Sequence, residues 1–403
     1  MRLLLIVTAL CLSTLTPAAQ TRGAAKPRAR DLGISTLIGG TPGVLDAITD
    51  VTGVEVGHTT LVAGAPPLAV GKGPVRTGVT VVHPRGKASN DPVFGAWFTL
   101  NGNGEMTGTT WLEESGILEG PVAITNTHSV GQVRDAILKW QVTRPGMQPW
   151  GLPVVAETYD GSLNDINGFH VKDEHVFQAL DAASSGPVAE GNVGGGTGMV
   201  CHQFKGGIGT ASRVLPAAAG GFVVGVLVQC NYGLRATLRV AGVPVGEEIS
   251  DLLPCSTTGA PGTSTARPCG ASKQEASDDR DQGSIIVVVA TDAPLLPHQL
   301  KRVVTRVSLG IARMGGFGNN SSGDIFVAFS TANAKTAAAA GKTTVEMWPN
   351  NRMDALFQAT VQATEESILN ALLAAETMEG GNGQRVYALP HDRLRAALKK
   401  YGR

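Results

Sequence analysis

Arg280–Gln299 reads "RDQGSIIVVVATDAPLLPHQ", and the fold turns on the point where this stretch changes character. Arg280, Asp281 and Gln282 suit a solvated loop. Ile285, Ile286, Val287, Val288 and Val289 form an unbroken β-branched run, which predicts a strand covered on both faces. Gly283 and Ser284 are the hinge between them. A serine at the start of a buried strand, preceded by glycine, suits a nucleophile that attacks the carbonyl before it. The amide becomes an ester, and water then releases a new N-terminus. Gly283 lacks a Cβ and tolerates the strained backbone such an attack requires. The freed amine lies within reach of its own hydroxyl and can serve as base. A Gly-Ser pair before a strand is also a common turn, so its neighbours decide.

Downstream, a helix is expected to open near Pro297, since proline is favoured in the first helical turn. "GFGNNSSGDIFVAFSTAN" follows, with Ser322 and Asp324 just before a second strand. Two residues apart on an extended segment, they point the same way and could relay a proton or hold an amine. An Asx or Ser/Thr turn would use the same residues. A long helix is expected from about Asn351 to Met378, with Leu356, Ala359, Ala363, Ile368, Leu372 and Ala375 inward, then a short helix ending in basic residues.

Upstream, "LVQCNYG" puts Asn231 at a strand end, as an oxyanion donor or a turn former. "AETYDG" ends another strand with Glu157, a possible acceptor for a substrate ammonium, and Tyr159, a possible donor to the reacting centre. A helix is expected over "VGQVRDAILKW", with Ser129 as N-cap and Val130, Val133, Ile137 and Trp140 on one face. Another is expected over "VKDEHVFQALDAA". Residues 255–282 carry almost no large apolar side chain and are expected to form a linker or surface loop. Covered strands and helices without strict alternation predict an α+β architecture of packed sheets with helices outside.

The totals narrow the function. The 403 residues carry 33 Lys plus Arg against 33 Asp plus Glu, a neutral balance that argues against nucleic acid as partner. Residues 1–20, "MRLLLIVTALCLSTLTPAAQ", have one basic residue, an apolar run too short to span a bilayer, and small residues after it. This predicts a secretory signal peptide and an exported protein, periplasmic or secreted, with no membrane span once the signal is removed. Beyond Cys11 in that leader, four cysteines remain. Cys255 and Cys269 are the best candidate disulfide. Cys201 and Cys230 are either buried thiols or a second bridge. There is no CxxC and no histidine cluster, so no metal is expected. "AAAAGKTT" lacks the first glycine of a P-loop, because Thr336 stands there, and no GxSxG occurs.

Taken together, "AITDVTGVEVGHTTL", "FTLNGNGEMTG", "ITNTHSVG", "AETYDG", "GNVGGGTGM", "FKGGIGTASR", "LVQCNYG", "GSIIVVVATDAPLLPHQLKR" and "NNSSGDIFVAFSTAN" resemble the L-aminopeptidase/D-amidase-esterase family, which includes the β-aminopeptidases. The stretches run in family order from about residue 31 to residue 390. The resemblance implies an α-β-β-α sandwich like that of N-terminal nucleophile hydrolases, with different strand connectivity. It implies cleavage between Gly283 and Ser284, giving an α chain, 21–283, and a β chain, 284–403, that together form one catalytic domain. Ser284 would be the nucleophile, assisted by Ser322 and Asp324. Asn231 and Tyr159 would line the oxyanion and reacting centre, and Glu157 would take the substrate amine. Family members tend to be multimers of the αβ unit, often tetramers, and use no cofactor. The segment bearing Cys255 and Cys269 is longer than the family pattern and would reshape the substrate mouth.

The expected function is therefore that of an exported, self-cleaving serine aminopeptidase. It would release N-terminal residues from short peptides, aminoacyl amides or esters through an acyl-enzyme on Ser284. Two alternatives use the same fold. One is acyl transfer of the ornithine acetyltransferase type, whose members typically offer a threonine nucleophile. The other is a periplasmic peptide-binding protein that has lost activity.

Overall fold

The computed structural model describes residues 26–145, 150–257, 268–270, 283–336 and 340–403. The expected signal peptide and most of the 255–282 linker, including Arg280–Gln282, lie outside the described residues.

Two main sheets are built from β1 Glu55–Ala63, β2 Val75–His83, β3 Val93–Thr99, β4 Ile117–Leu118, β5 Val122–Asn126, β6 Val154–Thr158, β7 Gly207–Val214, β8 Val223–Asn231, β9 Ser284–Thr291 and β10 Ile325–Ser330. Helices α1 Val130–Val142, α2 Asp173–Ala182, α3 Pro297–Thr305, α4 Val307–Arg313, α5 Asp354–Ala374 and α6 His391–Lys400 lie around them. The first sheet has the order β1-β2-β5-β6 and the second β4-β3-β10-β9-β8-β7. Only β5–β6 and β9–β10 are parallel among these pairs. Parallel neighbours need a crossover rather than a hairpin. In sequence α1 makes the first crossover, and α3 with α4 make the second.

The β-branched run in β9 explains the layers. Its side chains alternate between faces. Ile286, Val288 and Ala290 join Leu227, Ile325, Val327 and Phe329 against Val82, Val122, Ile124, Val154 and Ala156 of the first sheet. Ile285, Val287 and Val289 turn outward and pack with Val303, Val304, Ile311, Leu356, Ala363 and Leu372 of the helices. On the other side, Val79, Val81, Ala123 and Val155 meet Val133, Ile137, Trp140, Val176 and Leu180 of α1 and α2. The result is the expected α-β-β-α sandwich. Burying each of these large aliphatic side chains contributes about 1.5–3 kcal/mol. Close approach fixes the helices: a Cβ on Gly209 would lie 2.0 Å from the carbonyl oxygen of Ser367 in α5.

Several local expectations change. Ser129 precedes α1 but makes no side-chain cap; Asn126 instead accepts from the His128 N–H at 3.0 Å. The long helix is shorter than expected at both ends. A 3-10 turn at Asn350–Arg352 precedes α5. Ala375 is extended, and the Lys26 ammonium donates to the terminal carbonyl of Ala374 at 2.6 Å. The described start of the linker is no surface loop: Cys255 and Ser256 are buried and pair with Arg385 and Gln384. Cys255 is bonded to Cys269, and Cys201 to Cys230, so the pair left open by the sequence is a second bridge. Among the described residues, no helix is long and apolar enough to cross a membrane.

Candidate active site

Strand register sets the centre of the site. Ser284 is the first residue of β9 and lies opposite Asn231, the last residue of β8. It shares a face with Ile286 and Val288, so its side chain points between the sheets at their open end. Ser284 is nonetheless 95% covered, being only 5% exposed. Its Oγ accepts the N–H of Gly323 at 3.0 Å. The Ser322 Oγ lies 2.6 Å from the carbonyl oxygen of Gly283 and 2.8 Å from Asp324 Oδ1, so its single hydrogen can serve either acceptor. Asp324 Oδ1 also accepts the Ile285 N–H at 3.2 Å. The structure therefore brings Gly283, Ser284, Ser322 and Asp324 into one hydrogen-bonded cluster around the Gly283–Ser284 peptide.

The turn before β10 places Ser322 and Asp324. The Ser322 N–H donates to the Asn319 carbonyl at 3.0 Å, closing the turn. Asn101 clasps Asp324 from outside. Its Oδ1 accepts the Asp324 N–H at 2.6 Å, and its Nδ2 donates to Asp324 Oδ2 at 3.2 Å. Gly323 has a contact reason to be glycine, because a Cβ there would lie 2.5 Å from the Asn103 carbonyl oxygen. Gly283 has one too: a Cβ would meet the Asn231 carbonyl oxygen at 1.9 Å. Close approach to β8, and not a positive φ, is what demands glycine before the nucleophile.

The remaining expected residues are held differently. Asn231 Oδ1 accepts the Val200 N–H at 2.7 Å, and Nδ2 donates to the Tyr159 carbonyl at 3.0 Å. These two contacts orient the carboxamide and use only one of the two Nδ2 hydrogens. Tyr159 joins this network through its main chain. Tyr159 is 46% exposed, and its ring folds back over Gly161, where a Cβ would lie 2.3 Å from the phenol oxygen. Burial and the neighbouring Asp160 push the phenol pKa up, so it stays a donor.

Glu157 is buried. Its Oε1 accepts the Glu105 N–H at 3.0 Å, and its Oε2 accepts the Thr127 hydroxyl. Burial pushes this carboxyl above the usual range, against the pull of those hydrogen bonds. A Cβ on Gly104 would lie 3.2 Å from Glu157 Oε1 and 3.1 Å from Gly323 Cα, so this loop packs between the carboxylate and the Ser322 turn. Beside Thr127, His128 stacks on Phe169 with ring centroids 5.8 Å apart, and the exposed Phe169 gives this side an apolar rim.

Asn101, Thr127 and the Gly323 N–H were not singled out from the sequence. Asn101 lies in "FTLNGNGEMTG", where its signal is that of an ordinary turn. A main-chain donor carries no residue-type signal. No group of three or more His, Cys, Asp or Glu side chains is placed to hold a metal among the described residues. A groove of about 950 Å³ lies near the other ends of β9 and β10, lined in part by Arg85, Asp91 and Asp292. Its Arg85 is already paired with Asp91 at 3.2 Å and with the carbonyls of Thr331 and Ala332.

Comparison with known proteins matches the model of peptidase family S58 to residues 46–386. The β-peptidyl aminopeptidase BapA of Sphingosinicella microcystinivorans is 58% identical over 94% of this chain and 93% of its own length. The BapA of Sphingosinicella xenopeptidilytica is 46% identical, with the same coverage of each chain. Among solved structures, a Burkholderia sp. β-aminopeptidase has a TM-score of 0.81 and 50% identity, covering 94% of this chain and 99% of its own. The L-aminopeptidase D-Ala-esterase/amidase of Ochrobactrum anthropi, described as a new variant among Ntn hydrolase folds, has a TM-score of 0.82 and 46% identity at the same coverage.

Proposed function

Because the chain belongs to peptidase family S58, and is therefore a hydrolase of the aminopeptidase kind, we propose that it is a self-cleaving serine aminopeptidase whose nucleophile is Ser284. The observation that carries this reading is the 2.6 Å contact between the Ser322 hydroxyl and the Gly283 carbonyl oxygen. A donor on that oxygen stabilises the charge that develops when Ser284 attacks. In self-cleavage the Ser284 Oγ–carbon bond forms, the Gly283 C–N bond breaks, and the hydroxyl proton passes to the leaving nitrogen. Water then hydrolyses the ester, leaving a Gly283 carboxylate and a free Ser284 amine. The products are the α chain, 21–283, and the β chain, 284–403.

The same atoms then serve substrate. Ser284 attacks the acyl carbon, the second Nδ2 hydrogen of Asn231 meets the oxyanion, and Glu157 receives the substrate ammonium. The leaving amine departs with a proton, and water resolves the acyl-enzyme. The BapA relatives are named for β-peptides. By that likeness the substrates here are short peptides and amides with an N-terminal β-amino acid. The signal-like leader supports export to the periplasm or beyond, and αβ units assembled into a homo-oligomer complete the reading.

The test is the intact mass and N-terminal sequence of each chain in purified, reduced protein, alongside Ser284→Ala. A small chain beginning "SIIVVVATDA" is expected in the parent, and a single uncut, inactive chain in the variant. Parent-rate hydrolysis by Ser284→Ala would overturn the assignment. Turnover of α- and β-aminoacyl p-nitroanilides under equal conditions ranks the substrate classes.

A further inference from the structure

Lys205 is fully buried, yet among the described residues no carboxylate neutralises it. Its Nζ donates to the carbonyls of Met199 and Gly206, both at 2.8 Å, and to that of Gly196 at 3.4 Å. Three carbonyl oxygens face three ammonium hydrogens, an arrangement that supports the charged form. Burial, and to a lesser extent the charge of Lys26, push the group the other way, well below the usual lysine range. Neither self-cleavage nor substrate turnover, as derived above from Ser284, Ser322, Asp324 and Glu157, uses this costly group.

The Met199 carbonyl and the Val200 N–H belong to one peptide unit. Lys205 and the Gly206 N–H, at 2.9 Å, both pull on its oxygen. Its N–H donates to Asn231 Oδ1 at 2.7 Å. A donor on a carbonyl draws electron density toward oxygen and strengthens the same peptide's N–H as a donor. That N–H then does the same to the Asn231 carboxamide, whose Nδ2 hydrogens become better donors. We propose that Lys205 is a positioning residue for the oxyanion donor, fixing and polarising the Asn231 carboxamide through the Met199–Val200 peptide. This rests on the reading that Asn231 donates to the oxyanion.

A lysine that merely plugged a hole would lower stability without regard to Asn231. A relay makes the two residues act as one. The experiment compares Lys205→Met, Asn231→Ala and the double variant as full, purified proteins acting on a β-aminoacyl p-nitroanilide. Release of the Ser284 N-terminus serves as the folding control. Asn231→Ala is expected to lose about 10²–10³-fold in kcat, the usual effect of deleting one such donor. Lys205→Met, which weakens the donor without deleting it, is expected to lose about tenfold with KM unchanged. The double variant is expected to be no slower than Asn231→Ala.

Parent-like kcat in Lys205→Met overturns the inference, as do losses that multiply in the double variant. Parent-like kcat in Asn231→Ala overturns the oxyanion reading itself, and the inference with it. If Lys205→Met does not fold, replacing Val200 by its α-hydroxy acid removes the N–H that reaches Asn231 and weakens the Met199 carbonyl as an acceptor, so both links of the relay are cut without touching either side chain. The ester is expected to lower kcat in the parent and to change nothing in Asn231→Ala. An unchanged kcat in the parent then overturns the inference.

Discussion

Ser284, Ser322 and Asp324 touch one another or share a backbone partner, whereas Asn231, Tyr159 and Glu157 are tied in mostly by main-chain groups, with the Thr127 hydroxyl added at Glu157. The first group sits on β9 and the turn before β10, two adjacent parallel strands. The second comes from the ends of β8 and β6, fastened by Val200, Tyr159 and Glu105. The difference predicts behaviour. Changes in the first group should spread through the cluster and disturb self-cleavage as well as turnover. Changes at Glu157 should alter substrate binding and leave cleavage intact, because Glu157 makes no hydrogen bond to Gly283 or Ser284.

Ser284→Ala carries the largest expected effect. Without an attacking oxygen the chain stays uncut, and turnover falls by about 10⁶-fold, as for other serine nucleophiles. Next come Ser322→Ala and Asp324→Asn. Each is expected to slow both reactions by about 10²–10⁴-fold, the scale of a positioned acid–base group. Because the two side chains share a hydrogen bond at 2.8 Å, the double variant should be little slower than the worse single. Fully multiplicative losses, measured by β-chain release and by kcat, would break the view of this half as one unit. Glu157→Gln is expected to cleave itself normally and to raise KM by about tenfold or more, with kcat little changed, since an ammonium–carboxylate contact is worth about 1.5–3 kcal/mol. A cleavage defect in Glu157→Gln would erase the distinction between the halves.

The same contrast governs what the sequence could say. The run from Ile285 to Val289 dictates a strand buried on both faces, and everything in the sandwich follows from giving that strand two partners. The two-residue spacing puts Ser322 and Asp324 on one side of an extended segment, but an ordinary turn has the same spacing, and only the family resemblance singled the pair out as partners of Ser284. The clasp by Asn101 was not legible, since it joins positions 223 residues apart. Lys205 was equally silent, as an isolated lysine in a glycine-rich stretch looks solvated. Glu366 and Arg213 show the same limit. They pair deep between α5 and β7, with Asp46 pushed up to about 7 by burial and by Glu366. No local pattern announces a buried ion pair whose members lie 153 residues apart.

The smallest expected effect is also the most pointed, because stability and activity should move in opposite directions at Glu157. Burial raises this carboxyl above its unfolded value, so the folded state holds the proton more tightly than the unfolded state. Stability therefore falls as pH rises from the ordinary glutamate range through the raised folded value, and the cost is fully present above it. A glutamine can keep both contacts, accepting from the Glu105 N–H and donating to the Thr127 oxygen once that hydroxyl turns. Glu157→Gln should thus melt a little higher than the parent at neutral pH, with the gap closing as pH falls through that window. In the parent, KM should rise over the same window as the carboxylate that receives the substrate ammonium is lost, starting at higher pH than an ordinary glutamate would allow. In Glu157→Gln that limb of the KM profile should be flat. Melting curves and KM measured across the same pH series test both signs together. A parent KM that is level through the window would remove Glu157 from amine recognition and leave it a structural carboxyl under the 101–105 loop.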